Sequence, residues 1–235
     1  MTKIALQDER GYNQIFAPVG ATPVRMKRRS DWLVSQIGSG ARVLEIGCGT
    51  GETAAYIASQ TQAEVVAIDL SAAFVAEARR RHQAPNLRFE EFDLLAGIEP
   101  PFGRFDLVCG NGILHHLVKL LPEVLTSLRG LSNQGGRLAF IEPNLMNPYC
   151  AFIFGTGIGR RLGKLEPDEM AFTRGELVRA LSGTGWNDIQ VVTRDFLVPG
   201  IPLALVRPIE VIEPALEATR FTRWLAQSHF VTARG

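Results

Sequence analysis

Residues Arg42–Thr53 read RVLEIGCGTGET, a short apolar strand that runs into three alternating glycines, Gly47, Gly49 and Gly51, and then into a helix. A strand that turns tightly into a helix belongs to a βα unit, whose parallel neighbours need crossovers and therefore a layered α/β fold. The glycines free the backbone for positive φ and for close approach to a ligand, and the helix directs its unpaired N–H groups to the same place. Spacing then separates ligands. A dinucleotide loop follows G-x-G-x-x-G, and counting from Gly47 puts Glu52 where the third glycine belongs. Glu45, two residues before Gly47, repels a pyrophosphate and suits a ligand with an ammonium group.

The rest of the chain sustains this α/β reading. Short β-branched runs predict strands at 42–46, 64–68, 87–92, 105–109 and 137–141, with helices near 51–60, 72–82, 112–117 and 119–130 between them and one at 31–37 before the first strand. A helix at 174–182, capped by Thr173 and Glu176, precedes a sixth strand at 188–195, and alternation at 228–233 marks a seventh. The expected fold is a doubly wound, seven-stranded, mostly parallel sheet, Rossmann-like, with its last strand antiparallel. One domain over 1–235 accommodates it, with an N-terminal cap at 1–30 and insertions at 143–172 and 199–227.

A net charge of +1 gives no concentrated positive footprint for nucleic acid, and none is expected as a partner. No apolar run approaches the ~20 residues of a membrane span, and the N-terminus lacks the apolar core of a signal peptide. Cys48, Cys109 and Cys150 are odd in number and widely spaced, so they read as reduced core thiols in a cytoplasmic protein. No metal-ligand set is expected.

Glu45-Ile46-Gly47-Cys48-Gly49-Thr50-Gly51 resembles the E-x-G-x-G-x-G signature of class I S-adenosylmethionine-dependent methyltransferases, and the resemblance runs from about Tyr12 to Asn144. It implies S-adenosylmethionine as cofactor and S-adenosylhomocysteine as product, with Glu45, Gly47, Cys48, Gly49 and Gly51 around the methionine end. By the same resemblance, Asp69 with Leu70 closes the second strand at the ribose, and Asp93 with Leu94 holds the adenine. Asn111 and Gly112 fall beneath the methyl group, and Tyr12 reaches the methionine end from an N-terminal segment that, with Ile15 and Phe16, closes the cleft. Asn111-Gly112-Ile113-Leu114 departs from the [D/N/S]-P-P-[Y/F/W] of enzymes acting on exocyclic base nitrogens, and Leu-His-His-Leu resembles the small-molecule branch.

Three residues are candidates for catalysis. His115 or His116 can serve as general base for a hydroxyl or phenol, with their side chains ~100° apart on a helix and one pointing at the cofactor cleft. Glu142, at the end of the fifth strand, is either a base, a substrate anchor or a turn-stabilising carboxylate.

Both insertions follow strands at the ligand edge of a parallel sheet, and both are apolar. They pack on each other, line a pocket for a hydrophobic or aromatic acceptor, or meet a partner or a membrane surface. The basic run Arg25–Arg29 reads as a solvated helix face, with a phosphate or anionic-lipid contact as its rival, and Arg79–Arg81 as a helix C-terminus. The functional expectation is methyl transfer from S-adenosylmethionine to a small, hydrophobic or aromatic acceptor, with oxygen favoured over carbon or nitrogen. Its rivals are a nicotinamide-dependent oxidoreductase and a non-catalytic module that binds the same cofactor; the oligomeric state is open.

Overall fold

The computed structural model describes residues 4–7, 13–16, 20–96 and 101–235. Strands β1 (Ile4–Gln7) and β2 (Asn13–Phe16) form a separate antiparallel ribbon, and helix α1 spans Thr22–Val34. The repeating units follow as β3 (Arg42–Ile46), α2 (Glu52–Gln60), β4 (Glu64–Asp69), α3 (Ala72–Arg81) and β5 (Leu87–Glu91). After β6 (Phe105–Asn111) come two 3₁₀ turns, Leu114–His116 and Val118–Leu120, then α4 (Leu121–Leu131) and β7 (Ser132–Pro143). The chain finishes with α5 (Pro148–Gly155), α6 (Gly157–Gly163), α7 (Arg174–Gly183), β8 (Asn187–Arg194), α8 (Leu203–Ala218), α9 (Arg220–Arg223) and β9 (Ser228–Arg234).

Seven strands make one sheet in the order β5-β4-β3-β6-β7-β9-β8, in which only β9 runs against the rest. The chain winds outward from β3 in one direction and from β6 in the other. That reversal falls between β3 and β6, and it is at the carboxyl ends of such strands that open α/β sheets take their ligands. The glycine loop and Asn111 lie at these two strand ends.

Two apolar clusters cover the faces of the sheet. On one, α4 buries Leu121, Val124, Leu125, Leu128 and Leu131, a spacing of three and four residues that keeps one stripe of the helix inward. Each such side chain contributes roughly 1.5–3 kcal/mol by leaving water. Trp186 joins this side fully buried, its indole N–H donating to the Leu125 carbonyl at 3.1 Å. On the other face Trp32 of α1 meets Phe230 of β9 edge to face.

The structure corrects several expectations. The first helix begins at Thr22, with Pro23 in its opening turn, nine residues before the helix read from the sequence. The N-terminal segment holds the ribbon β1–β2, and Tyr12 lies outside the described residues. The basic run is a solvated face only at Lys27. Arg25 is 8% exposed, and Arg25 and Arg29 both reach Asp195, while Arg28 pairs with Glu213. Only acids about 170–185 residues downstream make this burial tolerable, and no local pattern reports them. Arg79, Arg80 and Arg81 pair individually with Glu90, Glu77 and Glu52.

The first insertion folds into α5 and α6 around its own small core of Cys150, Phe154 and Ala171. The second packs Val206, together with Leu197 just before the insertion, against Ala21 near the start of α1. A polar seam joins the two: Asn144 Nδ2 donates to the carbonyls of Trp224 and Ala226, at 2.8 and 2.7 Å. Phe152, Leu203, Leu205 and Ile212 stay exposed rather than packing on one another. All three cysteines are buried and free. Among the described residues no helix is long and apolar enough to cross a membrane.

Candidate active site

The glycine loop is shaped by the protein as much as by any ligand. Gly47 has φ +62°, and a Cβ there would lie 2.3 Å from the Ile113 side chain, so only glycine lets the β6 exit close over the loop. Gly49, at φ +52°, donates its N–H to Asp69 Oδ2 at 2.8 Å. Gly51 is the N-cap of α2, and Cys48 is buried with its N–H on the Ile68 carbonyl. Burial pushes the Cys48 thiol well above its usual range, which leaves it unreactive.

Beneath the loop sits Glu45, 2% exposed. Burial, together with the charges of Glu52 and Asp69, raises its pKa to about 8. Its Oε2 has no hydrogen-bond partner, an arrangement that is costly unless a donor or cation completes it.

Asp69 closes β4 and accepts the N–H groups of Gly49 on Oδ2 and Ser71 on Oδ1. Leu70 beside it is 42% exposed. Asp93 is exposed and makes a local turn, its Oδ1 accepting from Leu95 N at 2.9 Å, while Leu94 packs partly against the core. Asn111 ends β6 within reach of Arg29 on one side and Thr53 on the other, both at 3.4 Å. Gly112 follows at φ +74°, its N–H on the Ile141 carbonyl.

The two histidines do not diverge. They occupy a 3₁₀ turn rather than a longer helix, and their ring centroids are 4.2 Å apart because both rings turn toward the segment after α6. His115 Nδ1 lies 2.9 Å from Glu142 Oε2, and its Nε2 lies 3.4 Å from Glu169. Burial alone lowers the basicity of His115, but the hydrogen bonds and charges of Glu142 and Glu169 outweigh it and lift its pKa to about 9. His116 Nδ1 lies 3.3 Å from Glu166.

Glu142 is 1% exposed and accepts the backbone N–H groups of Ile113, Leu114 and His115 besides meeting the His115 ring. A carboxylate so occupied orients its neighbours. It has little capacity left to take a proton from an acceptor.

Sequence reasoning missed two groups. Glu166 and Glu169 sit in the first insertion, and only the fold brings them to the histidines. Arg29 and Arg25 share Asp195 and Gln227 at the same edge of the sheet, beside Asn111. A basic run interrupted at helical spacing was the available signal, and it reads equally well as a solvated face.

Residues 44–138 match the family described as "Methyltransferase domain". The trans-aconitate 2-methyltransferase of Deinococcus radiodurans is 33% identical over 172 residues, covering 68% of this chain and 64% of that protein. The malonyl-[acyl-carrier protein] O-methyltransferase of a Paenibacillus species is 31% identical over 42% of this chain and 37% of its own length. The chain thus spans less than two thirds of the length of these curated relatives. Among solved structures, an S-adenosylmethionine-dependent methyltransferase from Mesorhizobium loti superposes with a TM-score of 0.64 at 22% identity, covering 89% of this chain and 100% of that one. Phosphoethanolamine N-methyltransferase 2 of Haemonchus contortus, in complex with S-adenosyl-L-methionine, gives 0.64 at 18% identity over 88% of this chain and 52% of its own.

Proposed function

This chain belongs to the class I S-adenosylmethionine-dependent methyltransferases, and from that premise we propose that it methylates a small-molecule acceptor, on oxygen. The observation that carries the reading is the buried Glu45 carboxylate with its unpartnered oxygen under the Gly47–Gly51 loop. A cationic amine is the partner that such a group lacks, and the methionine end of S-adenosylmethionine carries one. In this reading Asp69 and Leu70 hold the ribose, Asp93 and Leu94 the adenine, and Asn111 and Gly112 lie below the sulfonium. Bound there, S-adenosylmethionine supplies an electrophilic methyl group on a good leaving group.

The remaining residues define what the acceptor must bring. Both ring nitrogens of His115 face carboxylates, Glu142 and Glu169, which hold the ring and raise its pKa, so His115 is engaged rather than free to act as base. Glu142 positions the turn that carries it. An acceptor whose oxygen is already ionised needs no base, and catalysis then consists chiefly of alignment, worth ~7–11 kcal/mol in well-oriented systems. A carboxylate fits this description. The relatives named for trans-aconitate and malonyl-[acyl-carrier protein] act on molecules that bear one. His116, half-exposed beside Glu166, is the group left to accept a proton should the acceptor be a hydroxyl.

The test is a mass-shift screen of the purified chain with S-adenosylmethionine and two sets of acceptors, small carboxylic acids and neutral aromatic or apolar alcohols. Methyl esters in the first set are expected. Turnover confined to the second set overturns the carboxylate assignment, and binding of NAD in place of S-adenosylmethionine overturns the function itself.

A further inference from the structure

We propose that His115, His116 and Glu169 form a binding site for one divalent transition-metal ion. The inference does not rest on methyl transfer, since these groups would hold an ion whatever the acceptor.

Each of the three residues offers one ligand atom, and these atoms lie within 4.8 Å of one another. Two imidazoles and one carboxylate are a donor set for zinc or another borderline divalent ion, leaving at least one coordination position open. An ion bonded at about 2.0–2.2 Å holds tetrahedral ligands roughly 3.4 Å apart. His115 Nε2 lies 3.4 Å from Glu169 Oε1 and His116 Nδ1 lies 3.9 Å from Glu169 Oε2, and with all three ligand atoms within 4.8 Å of one another, side-chain rotation is enough to close them on one ion.

The surroundings do what the outer layer of such a site must do. Glu142 takes the Nδ1–H of His115, which points Nε2 at Glu169, the carboxylate–histidine relay that fixes tautomer and ring orientation at metal centres. The loop that carries Glu169 is held rigid by Arg160. Its guanidinium donates to the carbonyls of Phe154, Glu166, Pro167 and Glu169, at 3.3, 2.6, 2.9 and 2.9 Å. Glu169 accepts the N–H of Glu166, and Met170 N donates to the His115 carbonyl, so loop and turn are tied directly.

Charge points the same way. Three carboxylates, Glu142, Glu166 and Glu169, converge on two imidazoles, and Glu142 and Glu169 are 1% and 7% exposed. Buried like charges at this density need positive charge among them, which the protonated His115 ring supplies and which a bound divalent ion would supply in its place. When an ion takes that place, the proton on His115 Nε2 leaves to solvent and the Nδ1–H stays on Glu142.

The experiment uses the full chain, stripped with a chelator and titrated with Co2+, whose visible absorption reports the coordination geometry, with Zn2+ added afterwards as competitor. One Co2+ per chain, displaced by Zn2+, is expected. His116→Ala and Glu169→Gln should each weaken binding roughly tenfold or more, while His82→Ala, at the far end of α3, should leave it unchanged. Failure of the wild-type chain to give a bound-cobalt spectrum overturns the site, as does undiminished binding by both variants. A second measurement needs no variant: Zn2+ should protect His116 from diethyl pyrocarbonate, read by peptide mass spectrometry. Equal modification with and without Zn2+ overturns the proposal even if the variants fail to fold.

Discussion

Glu142 holds the His115 ring at 2.9 Å from the neighbouring strand while accepting the N–H groups of the turn in which His115 sits. Removing this carboxylate leaves three backbone donors, one of them fully buried, without their partner. Glu142→Ala should therefore lower stability by about 3 kcal/mol, with donors buried unsatisfied at ~1–3 kcal/mol each and partly rescued by entering water. Thermal unfolding should show it as a fall of roughly 6–12 °C. A melting temperature equal to wild type would mean that the turn holds itself.

Binding of S-adenosylmethionine should release a proton. With its pKa raised to about 8, Glu45 is mostly protonated at pH 7, and an ammonium beside it favours the ionised form. Calorimetry at pH 7 in buffers of different ionisation enthalpy should give a buffer-dependent heat that corresponds to about one proton. Glu45→Gln should lose that dependence and bind more weakly. Identical heats in all buffers for the wild-type chain would remove Glu45 from the site.

Asp69→Ala should weaken cofactor affinity by about 3 kcal/mol, taking charge-assisted hydrogen bonds to two ribose hydroxyls at ~1.5 kcal/mol or more each. Because Asp69 also anchors the N–H groups of Gly49 and Ser71, Asp69→Asn, which keeps an acceptor oxygen, should retain more affinity than the alanine variant. Equal affinity in wild type and both variants, by titration calorimetry, would place the ribose elsewhere.

Two cations two positions apart differ sharply in this helix. Arg25 meets Asp195 with side-chain exposures of 9% and 5%, whereas Lys27 meets Asp31 with 64% and 45%. Arg25→Ala takes from buried Asp195 one of its two cations and from Gln227 a donor, and should cost about 3 kcal/mol. Lys27→Ala should change stability by less than about 0.5 kcal/mol. Urea midpoints decide the matter, and equal costs would refute the buried pairing.

His229 gives acid sensitivity a definite sign. It is 2% exposed, and burial lowers its pKa to about 4 from 6.5, with its two nitrogens facing Thr193 and the Phe172 carbonyl. Between these values the unfolded chain binds the proton and the folded chain does not. Stability is therefore intact above about pH 6.5 and falls as pH drops toward 4, by up to about 3 kcal/mol from this residue. His229→Gln should flatten the pH dependence of the urea midpoint over that interval. An unchanged slope would assign the acid sensitivity to other groups.

Local chemistry alone dictates the strand–glycine–helix unit at 42–60, the Thr173–Glu176 capping box and the strand positions, since hydrophobic period, glycine freedom and caps act over a few residues. The Glu45, Gly47 and Asp69 constellation was legible for the same reason: each residue closes or follows a strand whose place in the sheet follows from the alternation. Tertiary structure decided the rest. Adjacent histidines on a helix should diverge, yet His115 and His116 turn together because Glu166 and Glu169 arrive from 50 residues downstream. Arg25 and Arg29 are buried because Asp195 comes to meet them across 170 and 166 residues. Charges pair through space, where sequence separation costs only loop entropy that grows slowly with length, so such partners leave no periodic mark in the chain.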